Sequence, residues 1–431
     1  MFYRIFLLLV FNLLISQSFF NHVVGDEIGF QSARSHAMGH THFMNSNTSA
    51  LTLRNPSKLA LLDIDSFQLD FNLSNFSYHE RRSIDLKDFF GDFLTEGDYV
   101  SNLNSKGYTH FGGIVPSKIS PDYNFIIAYS YGPWSSLDYR YEEEVRGSIS
   151  FDDGVVGTRD ILEGYHILEH SGVIYMQSLA IAIGMPSTFS IGLGFNQLKS
   201  GSYAYRMEAT EVADSFDNLA SVLNIDGNID YEGETFRSVS MTGVFDKIEI
   251  SLGVEDNAFI KSSDDFENNF DITMGLPFYS QMNINSDLEY VSMGIRIEKP
   301  KKHKLGINLK DGFGYNYRLL SFEIIDNIFS DNMYQDFKKI NLGLEYAREG
   351  RSLRLGLSYK EPVFQTLSPL TLFCFGISEK MDRTTFDVAA SYSYQKYQYK
   401  DLFSVQDDVR PDYDNVHESN WSVVSTISHN F

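Results

Sequence analysis

The feature that most constrains this chain is an alternation of period two that recurs along most of its length. Phe67, Leu69, Phe71 and Leu73 alternate with Gln68, Asp70, Asn72 and Ser74. Leu179, Ile181 and Ile183 alternate with Ala180, Ala182 and Gly184; after Met185-Pro186-Ser187, Phe189, Ile191, Leu193 and Phe195 alternate with Ser190, Gly192 and Gly194. Ile340, Leu342, Leu344 and Tyr346 alternate with Asn341, Gly343 and Glu345. Beyond the turn at Arg348-Glu349-Gly350-Arg351, Leu353, Leu355, Leu357 and Tyr359 alternate with Arg354, Gly356, Ser358 and Lys360. Successive side chains of a strand point to opposite faces, so each segment has one apolar face and one small or polar face. A soluble sandwich would bury the apolar face. Here the other face mixes glycine with Asn, Glu, Arg and Lys, as in a wet or plugged lumen. Short turns alternate with long polar segments. Both facts favour an apolar face turned outward, to lipid.

The turn rhythm gives a strand count. Short connections are expected near 132–136, 185–188, 245–247, 299–302, 348–351 and 379–383, and long ones near 79–120, 152–171, 200–235, 256–286, 325–338, 361–369 and 399–420. Six short and seven long connections make 13, hence 14 strands with both ends on the short-turn side. Bacterial outer-membrane barrels have an even strand number and short periplasmic turns. The last strand carries Trp421, Val423 and Ile427 on one face and closes on Phe431. A terminal aromatic on an alternating strand suits insertion by the outer-membrane barrel assembly machinery.

The chain opens as an exported protein does. Arg4 precedes an apolar run from Ile5 to Ile15 broken only by Asn12, and small residues suited to cleavage follow at Ser18 and Gly25. The run is shorter than the roughly 20 residues a spanning helix needs. No other stretch approaches that length, so a membrane location requires a closed barrel. Residues 1–25 are assigned to the signal peptide, 26–65 to an N-terminal plug without strand alternation, and 66–431 to the barrel. The fold class is all-β, a transmembrane antiparallel β-barrel of about 14 strands with an N-terminal hatch or plug.

Composition narrows the partners. With 57 acidic and 35 basic residues the net charge is -22, which repels a phosphate backbone and excludes nucleic acid as a partner. The single Cys374 forms no internal disulfide and offers no Cys-x-x-Cys pair. Aromatic residues reach 15%, which suits an interfacial belt.

Two stretches of the plug carry a family resemblance. Gly29-Phe30-Gln31-Ser32-Ala33-Arg34-Ser35-His36-Ala37-Met38-Gly39 resembles the opening of the FadL/TodX-type outer-membrane transporters. Thr48-Ser49-Ala50-Leu51-Thr52-Leu53-Arg54-Asn55-Pro56-Ser57-Lys58-Leu59-Ala60 resembles their hatch motif. That resemblance implies 14 strands, a hatch in the lumen, and inward passage of long-chain fatty acids or other hydrophobic molecules. Ser57 departs from the usual alanine, and His40 stands where a small residue is common. The resemblance further implies a kinked third strand that opens laterally; this strand is expected near 137–151, with Gly147 as the kink.

Within the plug, Arg34, Gly39, Asn55 and Pro56 are the hatch and gating candidates. Asn before Pro favours an extended or turn conformation. Gly39 permits close packing or a positive φ. Arg34 is expected to pair with lumen acids such as Asp70 or Glu345. Phe89, Phe90, Phe93, Tyr99 and Tyr108, in the first long connection, are the candidate ligand-capture residues. His36, His40 and His42 have a spacing that binds zinc or nickel only if a turn gathers the rings; no acid or cysteine completes the set, and polar plug residues are expected instead. The acidic runs Asp264, Asp265, Glu267 and Asp407, Asp408, Asp412, Asp414 lack the spacing of a calcium loop. Lys299, Lys301, Lys302 and Lys304 flank Pro300 in an expected periplasmic turn. No nucleophile elbow or zinc-protease motif is present, so no enzyme, catalytic residue, metal or cofactor is expected.

The expected function is an outer-membrane channel for passive uptake of hydrophobic small molecules such as long-chain fatty acids. The alternative is a non-transport barrel that acts as a scaffold or as a partner of a protein secretion system. Expected partners are the hydrophobic ligand, outer-membrane lipid and lipopolysaccharide, and the assembly machinery through Phe431, with the chain a monomer.

Overall fold

The computed structural model describes residues 25–120, 123–146, 162–185, 188–212, 225–262, 283–284, 291–292, 296–330, 334–364, 367–403 and 413–431. Fourteen antiparallel strands form a closed ring. They are β1 Gln68–Lys87, β2 Phe93–Ser120, β3 Tyr123–Ser136, β4 Val173–Met185, β5 Phe189–Leu198, β6 Thr235–Phe245 and β7 Ile248–Glu255. The ring continues with β8 Lys301–Phe313, β9 Asn316–Ile328, β10 Phe337–Arg348, β11 Arg351–Lys360, β12 Leu370–Met381, β13 Thr384–Lys400 and β14 Tyr413–Asn430. Each strand pairs with its sequence neighbours, and β1 closes on β14 with Gln68 opposite Asn430.

The alternation explains the ring. Leu179, Ile181 and Ile183 are 45%, 39% and 46% exposed, whereas Ala180 is 0% and Ala182 3% exposed. An aliphatic row that open to water would be costly; facing hydrocarbon it is stabilising. The short turns use residues that tolerate positive φ: Glu349 at 52° and Gly350 at 81° make the type I′ pair that tight hairpins favour.

The strand number agrees with the turn rhythm, but several positions differ. Residues 132–136 lie inside β3, and the connection from β2 to β3 falls between Ser120 and Tyr123. Residues 299–302 span a strand break at Pro300, and the true short turn follows Phe313. Proline read as a turn signal here marks strand irregularities, where no ladder amide is lost. The expected long connection 79–120 is largely a hairpin, because β1 and β2 run on far past the apolar belt. The lysines are not in a turn: Lys299, Lys302 and Lys304 are buried inside the barrel.

At one level, strands β3 to β8 all break, at Leu137–Asp138, Gly172, Lys199–Ser200, Glu234, Asp256–Asn257 and Pro300. Beyond the breaks a separate six-stranded antiparallel sheet forms from Tyr139–Arg146, Leu162–Ser171, Gly201–Glu211, Ile225–Gly233, Ala258–Ser262 and Arg296–Lys299. This outer sheet is fixed to the neighbouring wall of β1 and β14. Arg82 of β1, fully buried, donates to Glu80 at 2.7 Å and to Asp414 at 3.3 Å, and lies 5.1 Å over the Tyr141 ring.

Candidate hatch, cavity and wall seam

Residues 28–61 fill the lumen with three short helices, α1 Ala33–Ala37, α2 His42–Asn45 and α3 Leu51–Arg54, and a 3-10 turn Pro56–Leu61. Ser32 caps α1 in a reciprocal box with Ser35. Ala33 N donates to Thr426 Oγ1 of β14 at 2.7 Å. The wall is shaped to receive this segment. A β-carbon built on Gly356 would lie 1.8 Å from Gly39 N, and one on Gly192 would lie 2.2 Å from the Pro56 carbonyl carbon. The glycines of the polar strand faces are thus the footprint of the hatch.

Each expected hatch residue has a definite place. Arg34 donates to Glu345 at 2.7 Å, and Arg354 joins the same carboxylate to Asp387. Asp70, the other acid considered for Arg34, instead accepts from Ser49 N and Oγ, both at 2.8 Å. Gly39 combines a φ of +71° with contact to β10 and β11. Asn55 donates to Phe43 O at 2.9 Å and accepts from Ser57 Oγ at 2.7 Å. Pro56 opens the 3-10 turn. Ser57, the departure from alanine, uses its hydroxyl on Asn55 and Thr242.

Sequence reasoning passed over Arg54, which binds the hatch to itself. Its guanidinium donates to Glu27 Oε2, Phe30 O and Gly29 O, each at 2.9 Å. Glu27 also pairs with Lys302 of β8. Burial alone would raise the Glu27 carboxyl; the charges of Lys302, Lys339 and Arg54 outweigh it and hold the group well below the usual range. The hydrogen bonds of the plug reach strands hundreds of residues away, which no local pattern encodes.

The turn through Gly39 and His40 (φ +71° and +61°) does gather the three imidazoles. The His36 and His40 ring centroids are 4.2 Å apart, and those of His40 and His42 5.2 Å. Burial depresses all three, His36 to about 3, so the rings are neutral.

Above the hatch lies a cavity of about 200 Å³. One part of its wall is apolar, with Ile28, Phe43, Trp134, Phe329 and Phe337; another is charged, with Arg54, Lys302, Lys339 and Lys360 alongside Glu27 and Glu298. An aromatic cluster roofs the lumen. Tyr139 and Tyr141 of the outer sheet pack there with Phe337, Phe364, Tyr397 and Phe403, and the Tyr141 and Phe403 rings stack at 5.9 Å.

The capture residues drawn from the sequence do not converge. Phe89 and Phe90 sit at the tip of the β1–β2 hairpin, 98% and 86% exposed, and Phe93 opens β2 beside them. Tyr99 packs against the roof cluster. Tyr108 is buried further down, its hydroxyl donating to Ser136 Oγ at 2.8 Å and Asp138 Oδ2 at 3.0 Å. One linear segment read as a loop is a long hairpin that spreads its aromatics over several levels.

The wall has a seam between β2 and β3. Their pairing ends at Phe111 and Tyr131. Above that point β3 loses its alternation and is buried throughout, and it bulges between Pro133 and Ser135 against β4. Its free edge is taken by the hatch: Asp26 pairs with Ser136, Glu27 with Ser135, and Ile28 N donates to Trp134 O at 3.1 Å. The third strand therefore begins at Tyr123, and its described irregularity lies at Pro133–Asp138. Gly147 falls outside the described residues, as do Asp264, Asp265, Glu267, Asp407, Asp408 and Asp412.

No protein-family model matches this sequence, and no curated protein matches it. Solved structures do share the fold. A FadL homologue from Pseudomonas aeruginosa superimposes with a TM-score of 0.57 at 11% identity, over 95% of this chain and 100% of that one. The toluene transporter TodX of Pseudomonas putida superimposes with a TM-score of 0.52 at 13% identity, over 93% of this chain and 98% of that one. The fold is that of the FadL/TodX-type barrels.

Proposed function

We propose that this chain is an outer-membrane channel for the passive uptake of hydrophobic small molecules, with long-chain fatty acids as the substrate class tested first. The observation that carries this reading is the cavity, part apolar and part charged, between the aromatic roof and the hatch. Burial of each methylene contributes about 0.8 kcal/mol, so ten of them supply about 8 kcal/mol before ordering costs. An acidic head group would be held by Lys339 and Lys360, since Glu27 already engages Arg54 and Lys302. An uncharged aromatic solute would use the apolar wall alone. The likeness of fold to a toluene transporter supports the channel class, and no reaction chemistry is proposed.

In this reading the solute first meets the roof aromatics, not the hairpin tip at Phe89 and Phe90. It then enters the cavity and leaves where β2 and β3 stop pairing. Departure requires residues 26–28 to vacate the edge of β3, because their backbone occupies it. Native mass spectrometry with lipid extraction tests the proposal, on protein purified from outer membranes in a mild detergent. A stoichiometric fatty acid or other apolar molecule is the expected result. An empty barrel that retains a protein partner would overturn it in favour of a scaffold role.

A further inference from the structure

We propose that His36, His40 and His42 form a three-imidazole site for a first-row divalent cation of the zinc and nickel class, clamping α1 to α2 within the hatch. This inference does not depend on the transport reading. One ligand nitrogen from each ring can be chosen so that all lie within 4.8 Å of one another. Tetrahedral zinc with nitrogens at about 2.0–2.1 Å requires about 3.3 Å between them, a closure that small rotations of three rings supply.

Three further observations support a built site. First, His40 has a φ of +61°, in the left-handed region that glycine or asparagine adopts more readily. Backbone strain of this kind persists where the surroundings impose it. Second, His40 Nε2 is buried and has no hydrogen-bond partner. Third, the outer rings are already oriented. Gln31 Oε1 contacts His36 Nδ1 at 3.1 Å, and Ser35 Oγ contacts His42 Nδ1 at 2.8 Å; His36 Nε2 contacts Ser422 Oγ at 2.7 Å and Ser391 Oγ at 3.2 Å, hydroxyls that an ion on that nitrogen displaces. Such contacts on the second ring nitrogen are how metal-binding histidines are usually held.

The surrounding charge sets the selectivity. Arg54 and Lys339 act on His40 and His42 and oppose any cation. Magnesium and calcium, which bind oxygen ligands, gain too little from imidazole to overcome that field. Zinc, nickel and copper bind imidazole strongly enough. His40 and His42 line the cavity, so a water or a solute anion could complete the coordination. The ligands come from α1, the turn after it and the first residue of α2, so one ion would fix all three segments.

The test is calorimetric titration of the full chain, stripped with chelator in mild detergent, with zinc chloride and separately with nickel chloride. One cation per chain is expected, and zinc-edge absorption should show nitrogen ligands at about 2.0 Å. His40→Gly removes a ligand while relieving the left-handed backbone, so its barrel should stay folded, checked by the heat-dependent shift on gels. This variant should lose the site, and Gln31→Leu should weaken it by about tenfold. No binding to the native chain, or binding unchanged in His40→Gly, overturns the proposal; the latter would assign the ion to other histidines.

Discussion

Arg54→Met removes the hatch staple and keeps most of the side-chain volume. Two carbonyls, of Gly29 and Phe30, each lose a charged N–H donor at 2.9 Å. Hydrogen bonds to charged groups contribute about 1.5–3 kcal/mol each, so the pair is worth about 3–6 kcal/mol. Arg54 is buried, so solvent does not replace these bonds in place. The Glu27 contact is left out of the sum because Lys302 still holds that carboxylate. A loss of about 4 kcal/mol moves the docked-to-released ratio of residues 25–31 by about 10³. In planar bilayers the native chain should be nearly closed. Arg54→Met should open frequently, with faster protease cleavage near Gly29. Arg81→Ala is the control: Arg81 and Asp98 pair at 2.9 Å but are 40% and 44% exposed, so no change in opening is expected. If Arg54→Met and Arg81→Ala behave alike in both assays, the staple argument is wrong.

Gly356→Val places side-chain atoms where the Gly39 backbone lies, so the hatch should be displaced while the barrel still shows its heat-dependent gel shift. An intact, protease-resistant hatch in that variant would contradict the footprint. Phe403→Ala opens the roof and should lower uptake of a fluorescent fatty acid in liposomes, whereas Phe89→Ala should not; equal effects would return capture to the hairpin tip. Arg82→Met leaves Glu80 and Asp414 buried without their cation, which costs about 3–5 kcal/mol and should make the outer ends of β1 and β14 exchange amide hydrogens faster. Glu27 has a folded pKa below its ordinary value. Its contribution is therefore full above the usual carboxylate range and fades as pH falls through the folded value. Openings should appear only below about pH 4. Openings already frequent at neutral pH would refute that assignment.

Much of the barrel was legible because period two is a backbone property, visible wherever one face meets lipid. The segments Phe67–Leu73, Leu179–Ile183 and Ile340–Tyr359 sit where alternation places them. Pro133 and Pro300 misled for one reason: proline marks interrupted hydrogen bonding, and a strand break interrupts it as a turn does. The outer sheet was illegible because its strands cover a cavity on one side and meet water on the other, so their polar runs look like loops. Within the hatch, the choice of Glu345 over Asp70 for Arg34 depends on which strand faces α1, a fact of closure and not of spacing. The gathering of the histidines turned on one positive φ beyond Gly39.

The bond from Ala33 to Thr426 ties the first helix of the hatch to the last strand of the barrel. β14 completes the ring by meeting β1, with Thr426 opposite Asn72. Thr426 also donates to Asn72, across that junction. A slip of two residues there would keep every side chain on its proper face and leave the ladder intact. It would, however, move the hydroxyl along the strand and away from α1. The hatch thus serves as a gauge at the closing joint: it seats only in a cylinder that has joined its ends in one register.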